Sequence, residues 1–190
     1  MQITKEILIA CGADPRFAAR YVLPLNSHLP LHGINTPLRV AHLLAQLLHE
    51  SDRFRASREY ATGAAYEGRK DLGNVIAGDG VRFAGRGLIQ ITGRSNYAAL
   101  SKSLGVDYLN NPAWMQRPDD AVRVSLWYWT SRNLNKWADA DNVMRITKLI
   151  NGGVNGLSDR INLIAKCKEA FCDKEVDKES GGLLGGTIQP

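Results

Sequence analysis

One stretch of this chain admits little except an amphipathic helix. Thr36-Pro37 puts a hydroxyl at the N-cap and a proline at the first helical position, where its missing N–H is no loss. The helix is predicted to run to about Ser51. Within it Leu43, Leu47 and Glu50 are spaced by four and three and share a face, with Val40 and Gln46 nearby. A carboxyl group therefore ends an apolar stripe, and apolar surroundings favour the neutral form of such a group.

Some thirty residues later comes the run Phe83-Ala84-Gly85-Arg86-Gly87-Leu88-Ile89-Gln90-Ile91-Thr92-Gly93. Its alternation between glycines predicts a tight turn or short strand pair. Gln90 and Thr92, two apart, would face the same way on an extended strand. A carboxamide beside a hydroxyl suits an N-acetyl group and a water. The lysine–hydroxyl pair of a phosphate loop is missing.

The remaining punctuation predicts helices over residues 4–11 and 15–23, an irregular segment over 52–82, and a helix over 94–104 closed by Gly105. After a turn at Asn111-Pro112, Pro118-Asp119-Asp120 opens a helix to about Leu134. Its density of apolar residues, with Trp127, Tyr128 and Trp129 in a row, marks it as the central core helix rather than a sugar-stacking platform. Asp141 is read as the cap of a helix ending at Asn151-Gly152-Gly153, and Ser158 as the cap of a last helix to about Cys172. Residues 173–190 read as a peripheral tail. The fold class expected is mainly α: a bilobal single domain, core about 36–172, with a small β-hairpin or loop lobe and a substrate cleft.

Composition narrows the function. Apolar residues make up 44% and charged residues 23%, as in an ordinary globular domain. No apolar run approaches the roughly eighteen residues that span a bilayer, so stable membrane insertion is not expected. The first residues lack the basic and apolar regions of a signal peptide, which points to synthesis in the cytoplasm. The net charge of +5 is dispersed and no nucleic-acid module accompanies it, so nucleic acid is not an expected partner. A mild positive field favours an anionic surface such as a bacterial envelope. The three cysteines have no metal-ligand spacing, and neither metal nor cofactor is expected.

Hydrolysis of a glycosidic bond needs one carboxylic acid to protonate the leaving oxygen and usually a second carboxylate on the opposite face. Glu50 is the acid candidate, with His49 beside it. Glu59, nine positions on, and Glu67, seventeen on, are both candidates for the second; Asp71 and Asp79 are weaker.

In combination these motifs resemble glycoside hydrolase family 19, the chitinases and related phage endolysins. His49-Glu50-Ser51, residues 83–93 continuing to Asn96-Tyr97, Asn111-Pro112, the Trp127-Tyr128-Trp129 helix, Ile150-Asn151-Gly152-Gly153 and Asp159-Arg160 occur in the family's order. Arg58-Glu59-Tyr60 and residues 65–74 resemble the endolysin, lysozyme-like branch. The resemblance implies a lysozyme-like fold and single-displacement hydrolysis with inversion. It implies that Glu50 is the general acid, Glu59 the general base and Thr92 a residue that positions water. Gln90, Asn96 and Asn151 match substrate-binding residues, Arg160 matches an arginine supporting the carboxylates, and Glu67 remains an auxiliary carboxylate. Ser95 departs from the tyrosine common before this asparagine in chitinases.

The expected function is that of an endolysin, a muramidase cutting the β-1,4 bonds of peptidoglycan glycan strands. It would be a monomer made in the host cytoplasm, reaching the periplasm and wall through a separate holin-type pore. The alternatives are a chitinase and a catalytically silent glycan-binding protein.

Overall fold

A computed structural model describes the backbone of residues 2–180 and side chains as far as residue 171. The architecture is mainly helical. Helices α1 (Lys5–Ala10), α2 (Ala19–His28) and α3 (Pro37–Glu50) form the first part. The short α4 (Asp79–Arg82), α5 (Arg94–Leu104), α6 (Pro118–Ser131), α7 (Leu134–Asp139), α8 (Val143–Asn151) and α9 (Leu157–Ser180) follow.

Helix α3 begins as its sequence requires. The Thr36 hydroxyl accepts from the Arg39 N–H at 3.2 Å, and Pro37 occupies the first turn. From Val40 to Leu48 every residue is buried, so α3 rather than α6 is the helix enclosed on all sides. Burying Val40, Leu43, Leu44, Leu47 and Leu48 contributes on the order of 10 kcal/mol against leaving them in water. The α9 helix packs along α3, and α2 packs on α6.

Two hydrophobic cores result. The larger joins α1, α2, α3, α6 and α9, including Leu8, Leu25, Leu43, Leu126 and Leu163. The smaller gathers Phe83, Ile91, Tyr97, Leu100, Tyr108, Met115 and Val124. Helix α6 serves both, because Val124 faces one while Val122 and Leu126 face the other. This is the bilobal arrangement expected, and Trp129 is wholly buried as a core residue.

Several boundaries differ from the sequence reading. The second helix starts at Ala19 and runs through Pro24, where the proline is buried against the core and the missing backbone bond is tolerated. Helix α6 ends at Ser131, a few residues short of the predicted end near Leu134; the chain turns at Asn133, whose φ is 51°, and α7, which the sequence reading did not include, follows. Asn142, not Asp141, caps α8: its side chain accepts from the Arg145 N–H at 2.9 Å. Asp141 instead pairs with His42 and Lys168, each at 2.6 Å. The last helix begins at Leu157 and extends to Ser180, past the predicted end; the rest of the predicted tail, 181–190, lies outside the described residues.

The glycine-rich run forms a ribbon of isolated antiparallel bridges, Arg58 with Arg86 and Arg86 with Ile91. Arg86 and Ile91 exchange backbone bonds of 3.1 and 2.8 Å, and Gly93 donates to Phe83 at 2.9 Å. Gln90 is not on an extended strand, since its φ of 57° is left-handed and it closes the turn over residues 87–90. A four-residue reversal leaves no length for a regular strand pair.

Candidate active site

Glu50 is the last residue of α3, and its side chain is 19% exposed. Its surroundings are not simply apolar. The Arg160 guanidinium, fully buried on α9, donates from Nη2 to Glu50 Oε1 and from Nη1 to Gln46 Oε1. Gln46 stands one turn before Glu50 on the same face of α3, so one arginine ties both to α9.

Asp159, next in sequence to Arg160, builds a second pairing. It takes His49 Nδ1 at 2.6 Å and a two-pronged contact from Arg53, with Nη2 at 2.5 Å and Nη1 at 3.1 Å. The Arg53 guanidinium, with His49 adding to it, holds the Asp159 carboxyl below its ordinary range against the opposing effect of burial. The His49 ring lies against Gly156, leaving no room there for a Cβ.

Asn151 braces the loop beneath that ring. Its amide donates to the Asn155 carbonyl at 2.7 Å and its oxygen accepts from the Gly153 N–H at 2.8 Å. Just before it, the Leu149 and Ile150 carbonyls take the Tyr128 hydroxyl at 3.2 and 3.3 Å. Burial chiefly raises the Tyr128 pKa, with Arg132 lowering it and the Glu50 charge raising it.

After α3 the chain reverses through three consecutive left-handed residues, Asp52, Arg53 and Phe54, with φ of 48°, 61° and 71°. Each costs about 1–2 kcal/mol for an L-residue. Burial of Phe54 against Tyr21, ring centroids 4.7 Å apart, and the Arg53–Asp159 pair offset that strain.

The reversal delivers Glu59 to the glycine-rich ribbon. Glu59 N–H donates to Gly85 O at 3.0 Å, and Gly85 N–H donates back to Glu59 Oε1 at 2.5 Å. Oε2 accepts from the Tyr66 hydroxyl at 2.9 Å. Burial first, then this bond to Glu59, raises the Tyr66 pKa and keeps the phenol a donor.

Gln90 and Thr92 meet at the same place despite the turn. A Cβ on Gly85 would stand 3.2 Å from both Gln90 Oε1 and Thr92 Oγ1. Gln90 Oε1 is buried without a hydrogen-bond partner among the described residues, while Gln90 Nε2 reaches Ala56 O at 3.4 Å. Thr92 Oγ1 donates to Gln90 O at 3.0 Å, and Asn96 Nδ2 donates to Thr92 O at 2.7 Å.

Glu67 lies elsewhere in purpose. Its two oxygens accept from the Gly78 and Gly80 N–H groups at 2.7 and 2.8 Å, so it ties down the loop before α4, and among the described residues it pairs with no arginine. Asp71 pairs with Arg69, and Asp79 with Arg94 at the start of α5. Ser95 packs its side chain against Gly73. The structure thus gathers Glu50, His49 and Arg160 into one cluster and Glu59, Gln90, Thr92 and Asn96 into another. The turn-rich segment 51–58 joins them.

Sequence reasoning did not find Gln46 as a partner of Arg160, nor Arg53, Tyr66 or Tyr128. Gln46 had a signal, as a polar residue one turn from Glu50 on an apolar face; the others come from distant segments. Among the described residues no group of three or more His, Cys, Asp or Glu side chains is placed to hold a metal ion. Cys11 and Cys167 are free, buried thiols.

A buried arginine thus stands behind one glutamate and a peptide N–H behind another, within a mainly helical enclosure. The family model for glycoside hydrolase family 19, described as chitinase class I, matches residues 38–148, and the chain belongs to this family. A Haemophilus influenzae family 19 domain-containing protein is 37% identical over 111 residues, 58% of this chain and 54% of that protein. An Arabidopsis thaliana endochitinase is 35% identical over 116 residues, 60% of this chain and 39% of its own length. The chain therefore spans about half the length, or less, of these relatives. In fold it is similar to chitinase C from Streptomyces griseus, with a TM-score of 0.71 at 22% identity over 88% of this chain and 76% of that one. A class IV chitinase from Zea mays gives a TM-score of 0.59 at 18% identity, covering 90% of this chain and 81% of that one.

Proposed function

We propose that this chain hydrolyses the β-1,4 bonds of a polymer of N-acetylated amino sugars with inversion, and that the polymer is the glycan of bacterial peptidoglycan. The observation that carries the reading is the unequal support of two carboxylates. Arg160 fixes Glu50 through Oε1, so that Oε2 is the oxygen available to the leaving group. Glu59 is held by neutral donors, Gly85 N–H and Tyr66 OH, beside the Thr92 hydroxyl. It can thus take a proton from water on the other face of the sugar. Gln90 and Thr92, side by side at Gly85, suit an N-acetyl group and a water. Glu67 is bound to the Gly78 and Gly80 N–H groups, whereas Glu59 is bound at Gly85 beside Gln90 and Thr92, and this favours Glu59.

The excess positive charge favours an anionic wall polymer over neutral chitin. On this reading the protein acts as a phage-type endolysin: a monomer, released to the wall through a separate holin-type pore. Chitin is the second reading, favoured by the relatives named endochitinases. The test compares new reducing ends from purified peptidoglycan and from chitin oligomers, with mass spectrometry identifying the cut sugar. Cleavage of peptidoglycan between its β-1,4-linked sugars is expected. Activity on chitin alone would overturn the choice of polymer, and binding without turnover of either would overturn hydrolysis.

A further inference from the structure

We infer that the peptide unit joining Ala84 to Gly85 is a clamp for Glu59, and that Arg86 and Tyr97 are positioning residues that set it. The inference rests on Glu59 being the carboxylate that activates water. A peptide unit is planar, so fixing its oxygen fixes the direction of its N–H. Here the oxygen, Ala84 O, accepts from Tyr97 OH at 2.7 Å and from Arg86 Nη1 at 3.0 Å. The N–H of the same unit, on Gly85, donates to Glu59 Oε1.

The clamp is buried on the far side from Glu59. Tyr97 is fully buried, with its ring edge-on to Phe83 at 5.1 Å, and Arg86 is 5% exposed. Among the described residues Arg86 has no carboxylate within ion-pair distance. Its Nη1 instead serves Ala84 O, Arg82 O at 2.8 Å and Tyr97 OH at 2.9 Å. A guanidinium held in the interior without an anion is costly, and here its charge is shared among the Ala84 and Arg82 carbonyls and the Tyr97 hydroxyl. A cation on the oxygen polarises the unit and strengthens the opposite N–H as a donor. Tyr97 stays a donor in this arrangement, because burial pushes its pKa up to about 12.

Gly85 completes the device. A Cβ there would stand 3.2 Å from Gln90 Oε1 and Thr92 Oγ1, so a side chain at this position would crowd both groups beside the clamp. Glu59 is therefore oriented through one peptide by residues that do not touch it with a side-chain hydrogen bond.

The test measures kcat and KM for Tyr97→Phe and Arg86→Gln, each in the wild-type and in the Glu59→Gln background. The substrate is soluble glycan strands of peptidoglycan or, if these resist, N-acetylglucosamine hexamer. Tyr97→Phe removes one oxygen and keeps the ring in place, so it stands if Arg86→Gln does not fold. Loss of that donor is expected to lower kcat roughly ten-fold with KM unchanged. In the Glu59→Gln background it should lower kcat no further. An equal loss in both backgrounds, a loss in KM alone, or no loss would overturn the clamp while leaving Glu59 as the base. Near-normal kcat in Glu59→Gln itself would overturn the base assignment and the clamp with it.

Discussion

Arg160→Met isolates the joint between α3 and α9. The substitution roughly keeps the volume and removes two donors. Gln46 is fully buried, and its Oε1 would lose its donor, which costs about 1–3 kcal/mol. Glu50 would lose the buried cation too, but its side chain is 19% exposed and water recovers part of that interaction. This share is about 1–2 kcal/mol rather than the 3–5 of a wholly buried pair. The sum is about 2–5 kcal/mol, or a fall in Tm on the order of 10 °C for a domain of this size. Urea unfolding followed by circular dichroism at neutral pH reads it directly, with the slope against urea unchanged. In a Gln46→Leu background the buried acceptor is gone, so Arg160→Met should then cost only about 1–2 kcal/mol. A loss below 1 kcal/mol in the wild-type background, or the same loss in both, would refute the view that one guanidinium is held by two acceptors.

Glu67→Gln should retain hydrolysis within a few-fold while lowering stability by about 1 kcal/mol, because it weakens one bond to the Gly78–Gly80 turn. Glu59→Gln should instead lose about 10² to 10⁴ in kcat at unchanged Tm; the reverse pattern would exchange the two roles. Stability should also fall on acidification near pH 6. Burial holds the His42 pKa below its ordinary value, with its bond to Asp141 opposing. The unfolded chain then takes up a proton at this position that the folded chain resists, so the contribution is whole above about pH 6.5 and declines as pH drops below it. A melting series from pH 7.5 to 5 should show this, and His42→Asn should flatten the slope. An unchanged slope would assign the acid sensitivity to other groups.

What could be read from the chain alone is what local chemistry dictates. The Thr36 cap, the apolar face of α3, the break at Gly105 and the burial of Trp129 all follow from neighbours a few residues apart. The tight turn of the glycine-rich segment was legible too, although the carboxylate bonded to it is Glu59 and not Glu50. The boundary at Pro24 escaped, because packing onto α6 outweighs one missing backbone bond. The same holds for Gln90, which meets Thr92 across a left-handed turn instead of along a strand.

The arrangement behind each carboxylate belongs to the tertiary structure. Gln46 and Arg160 are 114 positions apart, and only the packing of α9 along α3 makes one the partner of the other. Glu59 and Glu67 are alike in sequence, two acidic residues in one irregular segment. What separates them is which backbone N–H groups the folded loops present. A hydrogen bond acts over about 3 Å, and spacing along an irregular chain does not determine distances that short. The sequence by itself determined that a carboxylate would end a buried helix; the three-dimensional fold decided what each carboxylate would touch.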